Sequence, residues 1–106
     1  MEAVSKTINT VGTRHRLEVV CRLLISGSSN FNELKRALRM NSTTLSRTLK
    51  FLEKRGIVDR RVTNTQPISV NYSLTGVGQE FSDIIECMNK WGKKLLRKDK
   101  ITLQSS

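Results

Sequence analysis

A mainly α fold carrying one small β-hairpin, an α+β domain, is predicted by three observations on this 106-residue chain. Apolar residues recur at helical spacing through most of its length. Over ISVNYSL (68–74) the period drops to two, with Ile68, Val70, Tyr72 and Leu74 alternating with Ser69, Asn71 and Ser73. Beyond it lies an amphipathic run well longer than any before it.

In chain order, VSKTINTV (4–11) spaces Val4, Ile8 and Val11 for one stripe of a short helix. RHRLEVVCRLLIS (14–26) sets Leu17, Val20, Cys21 and Leu24 on one face and ends at Gly27, a candidate left-handed cap. In NFNELKRAL (30–38), Asn30 with Glu33 three residues on resembles a capping box, and Leu34, Ala37 and Leu38 are expected to face inward. Asn41 and Ser42 can cap a third core helix, 43–55, which Gly56 would end. IVDRRV (57–62) has strand composition and TNTQP (63–67) turn composition, giving a hairpin with one buried face. From Thr75 a last helix is expected to run to about Leu96, with Phe81, Ile84, Ile85, Met88, Trp91 and Leu95 in phase. The tail 97–106 is expected to fray. This is the element string of a winged helix-turn-helix: a core over about 13–75, flanked by N- and C-terminal dimerisation helices at about 3–11 and 76–96.

The length supports one domain, 1–106, burying roughly two-thirds of the surface of its unfolded chain. A formal net charge of +10 points to an anionic partner and works against self-association unless apolar surface compensates. No apolar run approaches the roughly 18 residues of a membrane span, and a signal-peptide layout is absent, so a cytoplasmic, nucleoid-associated protein without membrane contact is expected. The basic KKLLRKDK end (93–100) lacks the bulky aromatic face of a membrane-surface helix and reads as a solvated tail making nonspecific phosphate contacts. Cys21 and Cys87 lie far apart, with only His15 as a companion, too few ligands for zinc. No metal or cofactor is expected. Two thiols in a reducing compartment is the plainer reading; a redox-sensing thiol or an intersubunit disulfide stays open, as does any small-molecule effector.

Charge is segregated. Residues 33–61 hold nine basic and three acidic side chains, whereas 79–89 carry Glu80, Asp83 and Glu86 and no basic residue. On a helical projection with Leu45 at zero, Leu49 and Leu52 lie within about 40° of it, and Thr43, Arg47, Lys50 and Lys54 within about 40° of the opposite pole. The leucines would grip a core while the other stripe faces a groove of double-stranded DNA. Arg47 can bond two guanine acceptors at once, Lys50 and Lys54 can reach guanine or phosphate, and Thr43, Thr44 and Ser46 are short enough for close approach. Ser42 sits where helix N-terminal N–H groups hold a phosphate. A wing over 60–68, with Arg60 and Arg61 at its root and Thr63, Asn64, Thr65 and Gln66 in its turn, would touch the minor groove or backbone. The alternatives are an ordinary solvated helix face and a routine hairpin turn.

These residues resemble the HxlR-type winged-helix transcriptional regulators, relatives of the MarR group. FNELKRAL (31–38), TTLSRTLKFLEKRGIVDRRV (43–62), VNYSLTGVGQEF (70–81) and MNKWG (88–92) carry the resemblance, in order and spacing, with Gly27 ahead of Phe31. It implies a homodimeric DNA-binding regulator whose third core helix reads the major groove, with terminal helices making the dimer contact. Ser42, Thr43, Thr44, Ser46 and Arg47 are implied to face the groove, and Arg60 with Thr63–Gln66 to form the wing. Two features depart from the family pattern. No cysteine precedes Cys21 and the position of the tryptophan common early in the first core helix falls near Arg16, and the wing lacks the second proline and acidic residue often seen there.

The last helix has more apolar surface than three short helices and a hairpin can cover. Phe81, Ile84, Ile85, Met88 and Trp91, joined by Val4, Ile8 and Val11, are therefore the expected subunit contact, the alternative being a fold-back within one chain. A two-fold dimer would set its recognition helices about 34 Å apart on a near-palindromic site. The functional reading is a homodimeric sequence-selective regulator, helix 43–55 in the major groove. A nonspecific architectural or nucleoid protein using phosphate contacts alone is the alternative. Catalysis is not expected, since no acid–base or nucleophile arrangement surrounds His15, Glu53 or Asp59. A pure protein-interaction module would have a less basic third core helix.

Overall fold

The computed structural model describes residues 1–105, with side chains through residue 101. Six helices and three strands follow in the order α1 (Glu2–Val11), α2 (Arg14–Ser26), β1 (Ser28–Asn30), α3 (Phe31–Leu38), α4 (Ser42–Lys54), β2 (Val58–Val62), β3 (Val70–Leu74), α5 (Gly76–Gln79) and α6 (Ser82–Ser105). The fold is mostly helical, with a small antiparallel sheet of order β1-β3-β2.

Local chemistry sets the boundaries. Thr13, Asn30 and Asn41 each hold an extended backbone and accept a bond from the N–H three residues on, at 3.4, 2.9 and 2.8 Å. Each cap satisfies a donor that the first helical turn otherwise leaves unpaired. Asn30 also donates to the Glu33 carboxylate at 2.9 Å, so the 30/33 pairing expected from sequence forms reciprocally. At the other end, α4 gives way to Gly56 at φ 75°, a conformation a Cβ would strain. The α3–α4 turn passes through Arg39 in the left-handed region (φ 52°, ψ 44°), unusual for a residue with a side chain.

Val11, Val19, Val20, Leu23, Leu34, Met40, Leu45, Leu49, Leu52, Val58 and Leu74 form the buried core. α2 lies at its centre, against α3, α4 and β3. Being covered on more than one side, α2 buries a different arc from the one its period suggested: Val19, Val20 and Leu23 are inside, while Leu17, Cys21 and Leu24 are half-buried. Ala37 is exposed rather than inward, because α3 faces the core with Phe31, Leu34 and Leu38.

The strands differ from expectation in two ways. β1, unforeseen, pairs Ser28, Ser29 and Asn30 with Ser73, Tyr72 and Asn71. And the hairpin buries one face only near its root, at Val58 and Leu74; Val62 and Ile68 stand exposed where the ribbon leaves the body.

The last helix is interrupted. Thr75 accepts from Gly78 N–H at 3.1 Å, starting the single turn α5, and its hydroxyl lies 2.6 Å from the Gly56 carbonyl and 3.2 Å from that of Ile57. Gly78 packs directly on the Ile57 carbonyl, where a Cβ would collide. α6 then starts afresh at Ser82 and continues through the tail to Ser105, which is helical rather than frayed.

Candidate nucleic-acid interface

α4 is two-faced. Leu45, Leu49 and Leu52 are within 2% of complete burial, and Thr48 joins them by donating its hydroxyl to the Thr44 carbonyl at 2.7 Å. Thr43, Arg47, Lys50 and Lys54 are exposed on the opposite side, with Ser42 at the helix start. Among the described residues, Arg47, Lys50 and Lys54 make no ion pair, so their charge is uncompensated. Thr44 and Ser46 are half-buried at the flanks. The Thr44 N–H is taken by the Asn41 side chain at 2.8 Å, which removes it from the donors an anion at the helix start could use.

Packing fixes how α4 is presented. The Arg16 guanidinium lies 3.5 Å from the centroid of the Phe51 ring and donates to the Asn9 carbonyl at 3.2 Å. Arg55 approaches the same ring at 4.7 Å. Arg16, on α2, thus ties the end of α1 to the flank of α4. No local pattern signals this contact, since the two residues are 35 positions apart.

The hairpin projects beside this helix. In the β2–β3 register Arg60 opposes Tyr72 and Arg61 opposes Asn71. Alternation along β2 puts Arg60 on the face of Val58 and Val62 and Arg61 on the face of Asp59, so the two arginines point to opposite faces. Arg61 is paired with Asp59 at 3.1 Å, whereas Arg60 makes no ion pair among the described residues. Thr63 is half-buried and latched to Ser69, its N–H donating to the Ser69 carbonyl at 2.8 Å and its Oγ1 accepting from Ser69 N–H at 2.9 Å. Thr63 therefore closes the base of the loop, while Asn64, Thr65 and Gln66 are exposed at its tip.

The apolar surface expected from sequence divides. Ile84, Met88, Trp91 and Leu95 form an exposed stripe along α6, Trp91 at 65% exposure, and Val4 and Ile8 are exposed on α1. Val11, in contrast, is only 5% exposed and belongs to this chain's own core, and Phe81 packs against it. Ile85 is half-buried. Val11 and Phe81 turn toward the chain's own body, where α1, Ile57, α5 and the start of α6 come together. Between them lies a cleft of about 260 Å³ lined by Lys6, Val11, Ile57, Phe81 and Ile84.

Cys21 is half-buried and Cys87 exposed, both as free thiols. Burial, and secondarily the Glu18 carboxylate, push the Cys21 thiol pKa up. Among the described residues no group of three or more His, Cys, Asp or Glu could hold a metal ion, and no helix is long and apolar enough to cross a membrane.

Residues 10–100 match the family model of the HxlR-like helix-turn-helix. The chain belongs to that family. A relative named as an uncharacterized HTH-type transcriptional regulator, from Methanothermobacter thermautotrophicus, is 32% identical over 92 residues, 86% of this chain and 70% of its own. YvaP of Bacillus subtilis, another uncharacterized HTH-type transcriptional regulator, is 34% identical over 87 residues, 81% of this chain and 80% of its own. Among solved structures, the transcriptional regulator ytcD superposes with a TM-score of 0.84 at 26% identity, covering 92% of this chain and 99% of its own. The reduced form of the redox regulator HypR gives 0.80 at 30% identity, covering 98% and 99%. The HxlR-like chain is thus a winged-helix transcriptional regulator that binds DNA, and its family and structural neighbours are regulators rather than enzymes.

Proposed function

We propose that this HxlR-like regulator works as a cytoplasmic, nucleoid-associated homodimer that selects its DNA sites by sequence and acts by binding alone, without catalysis. In this reading α4 lies in the major groove with Arg47 on guanine, Lys50 and Lys54 on base or phosphate, and Ser42, Thr43, Thr44 and Ser46 in close approach. Arg60, Arg61 and the tip residues Asn64, Thr65 and Gln66 contact the minor groove or backbone, and Thr63 holds the loop closed. The observation that carries the reading is the exposed, unpaired cationic stripe of α4, set opposite its fully buried leucines.

The subunit contact is assigned to Ile84, Met88, Trp91 and Leu95 with Val4 and Ile8. Their spacing along α6 forms a continuous apolar seam that stays exposed among the described residues. A two-fold axis there places two α4 helices in successive major grooves, about 34 Å apart.

Selection of binding sites from random duplexes over a range of salt tests the proposal. A near-palindromic motif is expected. Arg47→Ala should flatten discrimination at one position by about 1–3 kcal/mol, whereas Lys54→Ala should weaken all sequences together and lower the salt slope by about one. Enrichment of no motif would replace this reading with nonspecific architectural binding through phosphates.

A further inference from the structure

The C-terminal half of α6 carries a second cationic ridge, separate from α4 and the wing. With Ile84 set to zero on a helical projection, Lys90, Lys93, Arg97 and Lys100 fall within about 60° of the pole opposite the apolar stripe, and Lys94 flanks them. All five are exposed, and with Leu96 they line one shallow groove. The acidic neighbours are few: Glu86 pairs with Lys90 at 3.6 Å, and Asp99 lies about 120° from the ridge's centre. α6 packs chiefly on α2, the helix on which the leucines of α4 also rest, while the cations of α4 face away from α2.

We propose that this ridge binds the phosphate backbone of a second DNA duplex, so that one dimer holds two duplexes at once. The inference rests on the dimer reading above in one respect: a mate seated on the apolar stripe leaves the ridge on the outside of the assembly. Charge density favours a duplex. From Lys90 to Lys100 the ridge sets five cations along about 15 Å of helix, matched to a partner that carries roughly one negative charge per 1.7 Å of its axis. A lipid surface fits less well, because such helices set aromatic side chains at the interface, and Trp91 lies about 160° from the ridge.

The test uses the full chain, with a selected site immobilised on beads and a second, fluorescent duplex lacking that site in solution. The wild type should retain the second duplex on the beads. A Lys93→Gln, Arg97→Gln, Lys100→Gln variant, checked for dimer mass and helical circular dichroism, should keep its affinity for the immobilised site. Its capture of the second duplex should fall roughly ten-fold, with the log–log salt slope of capture shallower by about 2.7.

Absence of capture by the wild type, or capture unchanged in the variant, would overturn the proposal. So would parallel loss of both duplexes, which would assign the ridge to the first one. Binding of the ridge to phosphatidylserine–phosphatidylcholine vesicles in place of the second duplex would overturn it in favour of lipid. Arg47→Ala separates the two readings: it should flatten discrimination at one base position while the amount of second duplex captured per bead-bound dimer stays the same, so failure of sequence selection and failure of bridging remain distinct.

Discussion

Removing the charge of Arg16 while keeping its stem, as in Arg16→Met, isolates the contact that joins α1, α2 and α4. Arg16 is half-buried, its guanidinium stacks 3.5 Å from the Phe51 ring centroid, and it donates to the Asn9 carbonyl at 3.2 Å. At a half-exposed site the ring contact is worth about 0.5–1 kcal/mol. The bond to the carbonyl adds on the order of 1 kcal/mol after solvent competition. A total loss of roughly 1.5–2 kcal/mol would lower the melting temperature of a domain this size by about 6–16 °C. A double-mutant cycle with Phe51→Leu separates the two parts, because the carbonyl bond is lost with or without the ring and cancels. The assay is urea unfolding of all four proteins at one fixed protomer concentration, so that the proposed self-association would weigh on each of them equally. A coupling energy of about 0.5–1 kcal/mol is expected. Coupling indistinguishable from zero would show that the ring and the guanidinium are merely adjacent and that α4 is held by its leucines alone.

Four further outcomes follow from the same contacts. Leu49→Ala, at a fully packed site, should cost about 2–5 kcal/mol in denaturant unfolding, whereas Lys50→Ala next to it should leave the midpoint within about 0.5 kcal/mol. Gly78→Ala would drive a Cβ into the Ile57 carbonyl and should destabilise by about 1–3 kcal/mol, read as a lower melting temperature. If the α6 stripe is the proposed subunit contact, Trp91→Glu places a charge in it and should shift the mass seen by light scattering from dimer to monomer without lowering helical content. In timed alkylation followed by mass spectrometry, Cys87 should react before Cys21: Cys87 is exposed, while half-burial and a raised pKa keep Cys21 protonated near neutral pH. The gap should narrow as pH rises and Cys21 ionises.

Much of this architecture was legible because period and caps carry it. α4 followed from the Leu45/Leu49/Leu52 spacing and the Asn41 cap, and the wing from the alternation around Tyr72 and Leu74. Its cationic face needed only the angle per residue, since the groups opposite a buried stripe must face outward. What escaped the sequence depends on distant partners. Ser28–Asn30 has no strand composition and is extended because β3 offers it a ladder. The interruption at Glu80 comes from Gly78 pressing on Ile57 and from Thr75 bridging to the carbonyls of 56 and 57, contacts across about 20 positions of chain. Thr63, counted from its position as a wing residue, closes the loop on Ser69. The apolar set assigned to a subunit contact mixed two populations, because spacing alone cannot tell Val11 and Phe81, facing this chain's own core, from Ile84 and Trp91.

The division of α4 into a leucine side and an ionic side has an evolutionary corollary. Thr43, Arg47, Lys50 and Lys54 contribute almost nothing to holding the protein together, so they can be exchanged at little thermodynamic penalty. That face of α4 can therefore change its chemistry on an unaltered scaffold, and under the proposed reading substitutions there would alter DNA contacts without loosening the fold.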